Sequence, residues 1–567
     1  MSHTQHANNR RGLNAWDMLF LIGFALVTAL CLWKAPLEIQ GQDEAFYLTI
    51  PQRLLNGDAF LVDEWHGSQL SAFILYPLFR LHHMLLGFDG IVLHFRYFYV
   101  LCQALCAAVI YGRLRKLGWS AVIASLFFYL FTPYDIMALS YNTMGLMLVT
   151  LTGVNLAVAG SRKAYFISGV LFAGAVLCCP YLIAGYIAYS VAALLFARVK
   201  KRGEAARQWL IFTLGALCVA ALLMIFALTR ASLADLWAAL PNLLADPEHP
   251  ARPFLYTLAQ YGYSAMHLFR YGAIYLAADC VALVAAALDR RRYARKPVYL
   301  AIAMLISAIM LIDLAPLAAA ERYNAVMFPL APVGLMAHLV TEHKARRVFL
   351  FTYLGGMTYT LCIFFSSNQY AQVLPAMSTA ANVGSILLLG HALAEARPGG
   401  RERLLRLLSA ATAALLLTQF ALMIHTKINH KFLSQADNSA LTQVIQEGPY
   451  RGIRVTPDTE AAYLAELAPL QAMADRQGTV LYASLRTWYY LATPGLGIGA
   501  YSAWLPDGSP ATLERLGLYY RLNPGKVPDY ILVPEHSRWD IALLLTLLPD
   551  EYAMTSVDGA VIYSRIH

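Results

Sequence analysis

The sequence predicts an α-helical membrane protein that crosses the bilayer about thirteen times and carries a small α/β domain at its C-terminus. Of its 567 residues, 59% are hydrophobic and only 14% are charged, and the mean hydropathy is +0.52. A soluble globular domain is nearer one quarter charged. We therefore divide the chain into a transmembrane domain, 1–425, and a more polar tail, 426–567, long enough for one small core.

The transmembrane domain is predicted from apolar windows, because a spanning helix needs about 20 mostly apolar residues. The third to sixth windows are short and closely connected. The thirteen windows lie at residues 16–34, 91–112, 118–134, 139–159, 164–180, 181–197, 209–229, 271–288, 298–314, 324–341, 348–366, 376–394 and 407–425.

Basic residues give the predicted orientation. The net charge of +9 comes from short Lys and Arg runs between apolar windows, which is the positive-inside pattern and not a nucleic-acid-binding surface. Six runs fall on the same side as the N-terminus, which we expect to be cytoplasmic. The first long loop, 35–90, and the tail are then extracytoplasmic. These runs are at 113–116, 162–163, 198–207, 290–296, 344–347 and 397–406.

Two further segments, residues 230–270 and the tail, are also predicted to lie on the outer side. Residues 230–270 are predicted to form an amphipathic interfacial piece followed by a proline-broken loop. In the tail, apolar runs predict short buried strands and longer periodic stretches predict helices, so that an α/β domain is expected. The predicted strands are 478–483, 529–533 and 560–564, and the predicted helices are 459–476 and 538–548.

Two adjacent carboxylates, Asp43 and Glu44, follow the first window. The apolar spacing of 44–55 predicts a helix that begins at this doublet, where the helix dipole favours an ionised carboxylate. Such a group suits a general base or a ligand for a divalent cation. A solvated N-terminal cap explains the same residues, so both interpretations are open.

The rest of the first loop adds more titratable groups. Asp58 follows Asn56-Gly57 and is most simply a turn residue. Asp63, Glu64, His66 and Gln69 are either solvated or at the rim of a site. His66 together with Asp43 or Glu44 is one option for a metal site, although a single histidine with scattered carboxylates is a weak pattern.

Other polar residues also map to the predicted outer face. Tyr141 and Asn142 lie at the outer start of the fourth window, and Arg322 and Tyr323 precede the tenth. An arginine on the outer side runs against the positive-inside bias. Arg322 either pairs with Glu321 or binds a phosphate, whose geometry the guanidinium fork matches.

With this topology, four features resemble the C-type (GT-C) glycosyltransferase superfamily, and most closely the bacterial relatives of protein O-mannosyltransferases and lipid A aminoarabinose transferases. The resemblance covers residues 10–425, while the tail matches only in position. The features are the doublet Asp43-Glu44, the turn Gly57-Asp58 ahead of Gln69 and Tyr76-Pro77, the pair Arg96-Tyr97, and Arg322-Tyr323 with Pro329 and Pro332.

The resemblance implies a glycosyltransferase of the bacterial cytoplasmic membrane. The sugar would arrive on a polyprenyl phosphate at the outer face, and a glycan, lipid or protein acceptor would displace the lipid phosphate. Asp43 would act as the base, and Glu44 would position it or help a cation. Arg322, alone or with Arg96 or Arg270, would stabilise the departing phosphate. The 230–270 segment would cover the lipid groove.

The sequence also departs from these relatives. The Lys-Pro-Pro that follows the turn in aminoarabinose transferases is absent, and residues 65–69 (Trp-His-Gly-Ser-Gln) stand there. We therefore expect a hexose or pentose donor. The tripartite lumenal domain of the eukaryotic mannosyltransferases is also missing, which leaves a protein acceptor without direct support.

Two other functions fit a polytopic membrane protein of this size. A transporter or flippase of lipid-linked glycans would place polar residues and broken helices near mid-membrane, whereas the polar groups here cluster at one face. A glycan ligase or polymerase would carry its large outer loop late in the bundle, whereas the acids here lie in the first loop. The sequence therefore favours a glycosyltransferase.

Overall fold

The computed structural model describes residues 13–199, 203–244, 252–316, 323–367, 370–395, 402–505 and 508–566. Within these residues the chain forms a helical bundle with a mixed β-sheet near its C-terminus. The first half of the bundle contains α1 (Ala15–Lys34), α2 (Asp43–Leu55), α3 (Ala72–Leu86), α4 (Ile91–Leu114), α5 (Trp119–Leu130), α6 (Tyr141–Ala157), α7 (Arg162–Cys178), α8 (Ile183–Val199) and α9 (Gly203–Leu228).

The second half of the bundle contains ten further helices, and short 3₁₀ or π turns precede several of them. They are α10 (Leu233–Leu244), α11 (Phe254–His267), α12 (Gly272–Leu288), α13 (Lys296–Leu314), α14 (Leu330–Val340), α15 (Arg346–Val348), α16 (Gly355–Ser366), α17 (Tyr370–Met377), α18 (Thr379–Glu395) and α19 (Glu402–Asn429).

Seven of the described helical segments are long and apolar enough to cross a membrane, and an eighth does so if α11 and α12, bent by 103°, form one span. The chain is thus a multi-pass membrane protein. All thirteen predicted windows contain helix, but the count of thirteen spans is not confirmed. Fewer spans than thirteen are found partly because some helices are short: α5 has 12 residues, and α6, α7 and α8 have 17 each.

Residues 230–270, predicted as an amphipathic interfacial piece followed by a proline-broken loop, are largely helical where the structure describes them. They contain two helices, α10 and α11, and Pro241 lies inside α10. The predicted proline-broken loop falls on residues 245–251, which lie outside the described residues.

One buried segment of the bundle is not α-helical. Residues Tyr323–Met327 form a 3₁₀ helix ahead of α14. Buried amide side chains bind its free carbonyl groups: Gln419 Nε2 donates to the Val326 carbonyl at 2.7 Å, and Asn382 Nδ2 donates to that of Met327. Irregular backbone inside a membrane bundle requires such partners, since no water is there to replace them.

The tail contains a two-stranded ribbon and a five-stranded sheet. In the larger sheet the strand order is β4-β3-β5-β7-β6; β3 pairs in parallel with β4 and β5, and β7 pairs antiparallel with β5 and β6. The tail elements are β1 (Gln443–Val444), β2 (Arg454–Val455), α20 (Pro457–Gln471), β3 (Thr479–Tyr482), α21 (Trp488–Ala492), β4 (Gly497–Ile498), α22 (Pro510–Leu522), β5 (Tyr530–Pro534), α23 (Ile541–Thr546), β6 (Tyr552–Val557) and β7 (Ala560–Arg565).

The tail packs against the first loop through backbone hydrogen bonds. Arg454 donates to the Pro36 carbonyl at 2.7 Å, and Glu38 donates back to that of Arg454 at 2.8 Å. Trp65 donates to the Tyr501 carbonyl at 2.8 Å. The first loop and the tail therefore lie on the same side of the helical bundle.

Candidate functional site

Asp43 is the first residue of α2, the helix that follows α1 in the first loop. Asp43 and Glu44 both lie in its first turn, where unpaired backbone N–H groups favour negative charge. The Asp43 side chain is half-buried, and the Tyr47 hydroxyl, one turn later, donates to its Oδ1 at 3.3 Å. The tail fixes this helix start, because Thr487 Oγ1 donates to the Gln42 carbonyl at 2.7 Å.

Tyrosines gather around the Asp43 carboxylate. The rings of Tyr47 and Tyr141 meet edge to face with centroids 5.7 Å apart. Burial and then the Asp43 charge raise the pKa of Tyr47 well above its ordinary value. The phenol of Tyr47 is therefore protonated and serves as a hydrogen-bond donor. A half-buried carboxylate among phenols can accept a proton while the phenols bind hydroxyl groups of a ligand.

Glu44 has different surroundings. It is 2% exposed and forms a two-pronged ion pair with Arg96, itself 1% exposed. Arg96 Nε contacts Oε2 at 2.8 Å, and Arg96 Nη2 contacts Oε1 at 2.7 Å. The remaining Arg96 N–H groups bind the carbonyls of Ala35 at 2.7 Å, Leu37 at 3.2 Å and Glu38 at 2.7 Å.

These contacts use all five N–H groups of the Arg96 guanidinium. We therefore correct two predicted roles. Arg96 holds the start of the first loop and has no donor left for a departing phosphate, and Glu44 is the counter-ion of Arg96. The doublet thus separates into a buried structural acid, Glu44, and a half-buried acid, Asp43.

Asp58, Asp63 and Glu64 surround Arg53 at the boundary between the first loop and the tail. Arg53, 1% exposed, contacts Asp58 Oδ2 at 2.8 Å and Glu64 Oε2 at 3.3 Å. It also donates to the Ala500 carbonyl at 2.8 Å and to the Asp63 carbonyl.

A second cation completes this cluster from the tail. Lys526 Nζ lies 2.5 Å from Asp58 Oδ1 and 3.8 Å from Asp63 Oδ1. We name these five residues, Arg53, Asp58, Asp63, Glu64 and Lys526, the Arg53 clamp. The predicted substrate-binding role of the three acids is corrected accordingly, because their carboxylates join the first loop to the tail.

Gln69 and His66 lie in the same loop. Gln69 is fully buried; its amide nitrogen donates to the Glu64 carbonyl at 2.7 Å, and its oxygen accepts from the Leu61 N–H at 2.7 Å. Gln69 therefore braces the loop from inside and cannot contact a substrate. The half-buried His66 ring lies edge-on to Phe46 of α2 at 4.7 Å, and its Nδ1 is 2.7 Å from Ser68 Oγ.

The predicted metal set of Asp43, Glu44 and His66 does not assemble. Glu44 is paired with Arg96, and in the described ranges no three His, Cys, Asp or Glu side chains converge as ligands.

The remaining predicted residues are scattered. Arg270 is exposed at the α11–α12 bend, with its guanidinium 5.3 Å from the Tyr271 ring centroid. Tyr323 is buried and stacks between Phe131 and His430. Asn142 is buried, and its carbonyl accepts from Tyr359 at 3.3 Å. Arg322 lies outside the described residues.

Sequence reasoning missed several residues that build this region. Lys34 and Lys427 form ion pairs with Asp135 in the turn between α5 and α6. Thr487 forms a hydrogen bond at the start of α2. A lysine at the end of an apolar helix was a usable signal, since a charge there needs a partner. Thr487 gave no signal, because its partner lies 445 residues away.

No family model and no curated protein matches this chain. Among solved structures it is similar to the Archaeoglobus fulgidus oligosaccharyltransferase in complex with zinc and sulfate, with a TM-score of 0.46 and 11% identity over 96% of this chain and 73% of that chain. For the same enzyme tethered with an acceptor peptide the TM-score is 0.47, with 12% identity over 98% and 75%.

It is also similar to ArnT from Cupriavidus metallidurans in the apo state, with a TM-score of 0.43 and 12% identity over 97% of this chain and 98% of that chain. The function proposed below rests on the contacts of this chain's own residues.

Proposed function

We propose that the protein transfers a sugar from a polyprenyl-phosphate donor to an acceptor at the outer face of a bacterial cytoplasmic membrane. One observation carries this proposal: Asp43 is a half-buried carboxylate in the first turn of a helix, it accepts a hydrogen bond from the Tyr47 hydroxyl, and the Tyr141 ring packs on Tyr47. The Asp43 carboxylate is thus placed to take a proton from an incoming hydroxyl or amine.

The reaction is a displacement at the anomeric carbon. The acceptor oxygen or nitrogen forms a bond to that carbon as the bond to the phosphate oxygen breaks, and Asp43 receives the acceptor proton. The lipid phosphate leaves with the electron pair. A hexose or pentose donor and a glycan, lipid or protein acceptor fit this scheme.

A divalent cation is part of the proposal only as a partner of the substrate. Asp43 can supply one carboxylate, and the donor phosphate supplies further hard oxygen ligands. A strict need for the cation would appear as loss of transfer on chelation and its recovery with added Mg²⁺ or Mn²⁺.

The positions of two ion pairs support this orientation. Arg115 contacts Asp17 at the start of α1, and Lys296 contacts Glu395, both at sites of the predicted cytoplasmic loops. Asp43 and the tail lie together at the other end of α1. Together with the positive-inside rule, this arrangement supports an Asp43 site outside the cytoplasm.

The test is a transfer assay with the full-length protein in vesicles. Radiolabelled polyprenyl-phosphate hexoses and pentoses are supplied with envelope lipids and glycans extracted from a strain that lacks the protein. We expect label to move from the donor to one acceptor fraction, identified by mass spectrometry. Movement of the intact donor across the bilayer without transfer would instead indicate a flippase, and elongation of a lipid-linked glycan would indicate a polymerase.

A further inference from the structure

The turn between α5 and α6 has an unusual backbone. Tyr134 and Asp135 are consecutive residues with φ of 57° and 59°, in the left-handed region. Residues with a Cβ seldom adopt this conformation, and a bulky tyrosine does so less readily than glycine, asparagine or aspartate. Such a conformation persists where the surrounding contacts impose it, and it is concentrated at functional sites.

Asp135 is held by two lysines from distant helices. Lys34 Nζ, at the end of α1, lies 2.5 Å from Oδ2, and Lys427 Nζ, in the last turn of α19, lies 3.1 Å from Oδ1. All three side chains are fully buried. Lys427 also donates to Thr132 Oγ1 at 2.7 Å, one residue before the turn. A buried carboxylate that contacts two cations resists displacement, since its removal would leave two buried positive charges without this counter-ion.

Tyr134 is held from the other side. Its backbone N–H donates to Asn324 Oδ1 at 3.0 Å. The preceding residue is Pro133, whose ring fixes its own φ. The turn is thereby fixed at both of its left-handed residues. Glycine or asparagine at position 134 would adopt the same backbone at lower conformational cost, so the tyrosine side chain itself needs an explanation.

The connection that carries Tyr134 packs against the segment just before Asp43, because the Met137 backbone N–H donates to Gln40 Oε1 at 2.8 Å. Tyr134 is 8% exposed, in the connection outside both α5 and α6. Burial, then the Tyr141 phenol and the Asp43 carboxylate, raise the pKa of Tyr134 above its ordinary value. Tyr141 in turn packs edge to face on Tyr47, the tyrosine that donates to Asp43.

We propose that Tyr134 is a substrate-positioning residue, whose phenol hydrogen-bonds a sugar hydroxyl beside Asp43, and that the strained turn fixed by Lys34, Lys427 and Asn324 holds the phenol there. This inference rests on the proposed sugar transfer and deepens it. In this account the conformational cost of a tyrosine with a left-handed φ is retained because it places the Tyr134 hydroxyl beside the sugar.

The test compares Tyr134→Phe and Tyr134→Gly with the wild-type protein in the vesicle assay, using the labelled polyprenyl-phosphate sugar that gives the highest wild-type rate. Tyr134→Phe removes one hydrogen bond and should raise the donor KM about 3- to 10-fold with kcat within twofold of wild type. Tyr134→Gly relieves the left-handed backbone, which offsets part of the packing lost with the buried ring, and kcat/KM should fall more than 10-fold.

The matched control is Tyr129→Phe. Tyr129 is a buried tyrosine of α5 whose hydroxyl lies 2.8 Å from Thr28 Oγ1, away from Asp43, so its loss should leave the donor KM unchanged. Unchanged KM and kcat/KM in both Tyr134 variants would overturn the inference. So would a loss of transfer by Tyr134→Phe that follows a lowered thermal midpoint, because that pattern describes packing. Absence of transfer by the wild-type protein would instead overturn the proposed function itself.

Discussion

Asp43 and Glu44 are neighbours in sequence with opposite environments. Successive residues of an α-helix point about 100° apart, so one side chain of the doublet faces the tyrosine cluster and the other faces Arg96. The chemistry of a carboxylate follows from its partners: Glu44 neutralises a buried cation, while Asp43 has a phenol donor beside it. A single helical step thus separates a structural acid from a candidate base.

The Glu44–Arg96 pair gives a prediction at this scale. In Arg96→Lys the positive charge is kept, but the lysine cannot form the two-pronged contact with Glu44 or reach the three backbone carbonyls. We therefore expect the free energy of unfolding to fall by about 3–5 kcal/mol. Thermal unfolding in detergent measures it, with exposed Arg451→Lys as the control. An unchanged thermal midpoint together with lost sugar transfer would contradict this and return Arg96 to the phosphate-binding role.

At the scale of elements, the tail forms hydrogen bonds with α2 along the length of the helix. Thr487 binds the carbonyl before its first turn, Gln52 Nε2 donates to the Tyr490 carbonyl at 2.7 Å, and Arg53 donates to that of Ala500. The tail therefore sets the position of the helix that carries Asp43. Separation of the tail from α2 would release the candidate base.

The Arg53 clamp gives a pH prediction. Burial raises the pKa of Glu64 above its ordinary value, so the folded chain holds that proton more tightly than the unfolded chain. The resulting stabilisation is complete below the unfolded pKa of about 4.3 and is lost as the pH rises through the raised pKa. The thermal midpoint of the wild-type protein should therefore fall as the pH rises through this range, and Glu64→Gln should reduce that fall. Exposed Glu514→Gln is the control, and an unaltered pH slope in Glu64→Gln would refute the assignment.

At the scale of the whole molecule, buried ion pairs join segments that are distant in sequence. Lys34 and Lys427 lie 393 residues apart, yet Lys34 donates to the Lys427 carbonyl at 2.6 Å and both contact Asp135. These contacts bring the end of the first helix and the end of the last bundle helix to the same turn. The candidate site is thus assembled from the beginning, middle and end of the chain.

This assembly explains what the sequence could predict. Apolar windows located the helices, and the predicted runs at 478–483 and 529–533 located strands β3 and β5, because periodicity is a local property. Strand β6 was missed because its side chains are mostly exposed and carry no buried alternation. The partners of Glu44, Asp58 and Glu64 were missed because a charge pattern shows which groups need partners without showing which ones the fold supplies.

The most direct measurement is sugar transfer by Asp43→Asn in vesicles, beside thermal unfolding of the same protein. Asparagine keeps the size of the side chain but cannot accept a proton, so we expect transfer to fall about 10²- to 10⁴-fold with the thermal midpoint unchanged. Asp89→Asn, which removes an exposed ion pair of the same loop, should transfer sugar at the wild-type rate. Full transfer by Asp43→Asn would contradict the assignment of Asp43 as the base.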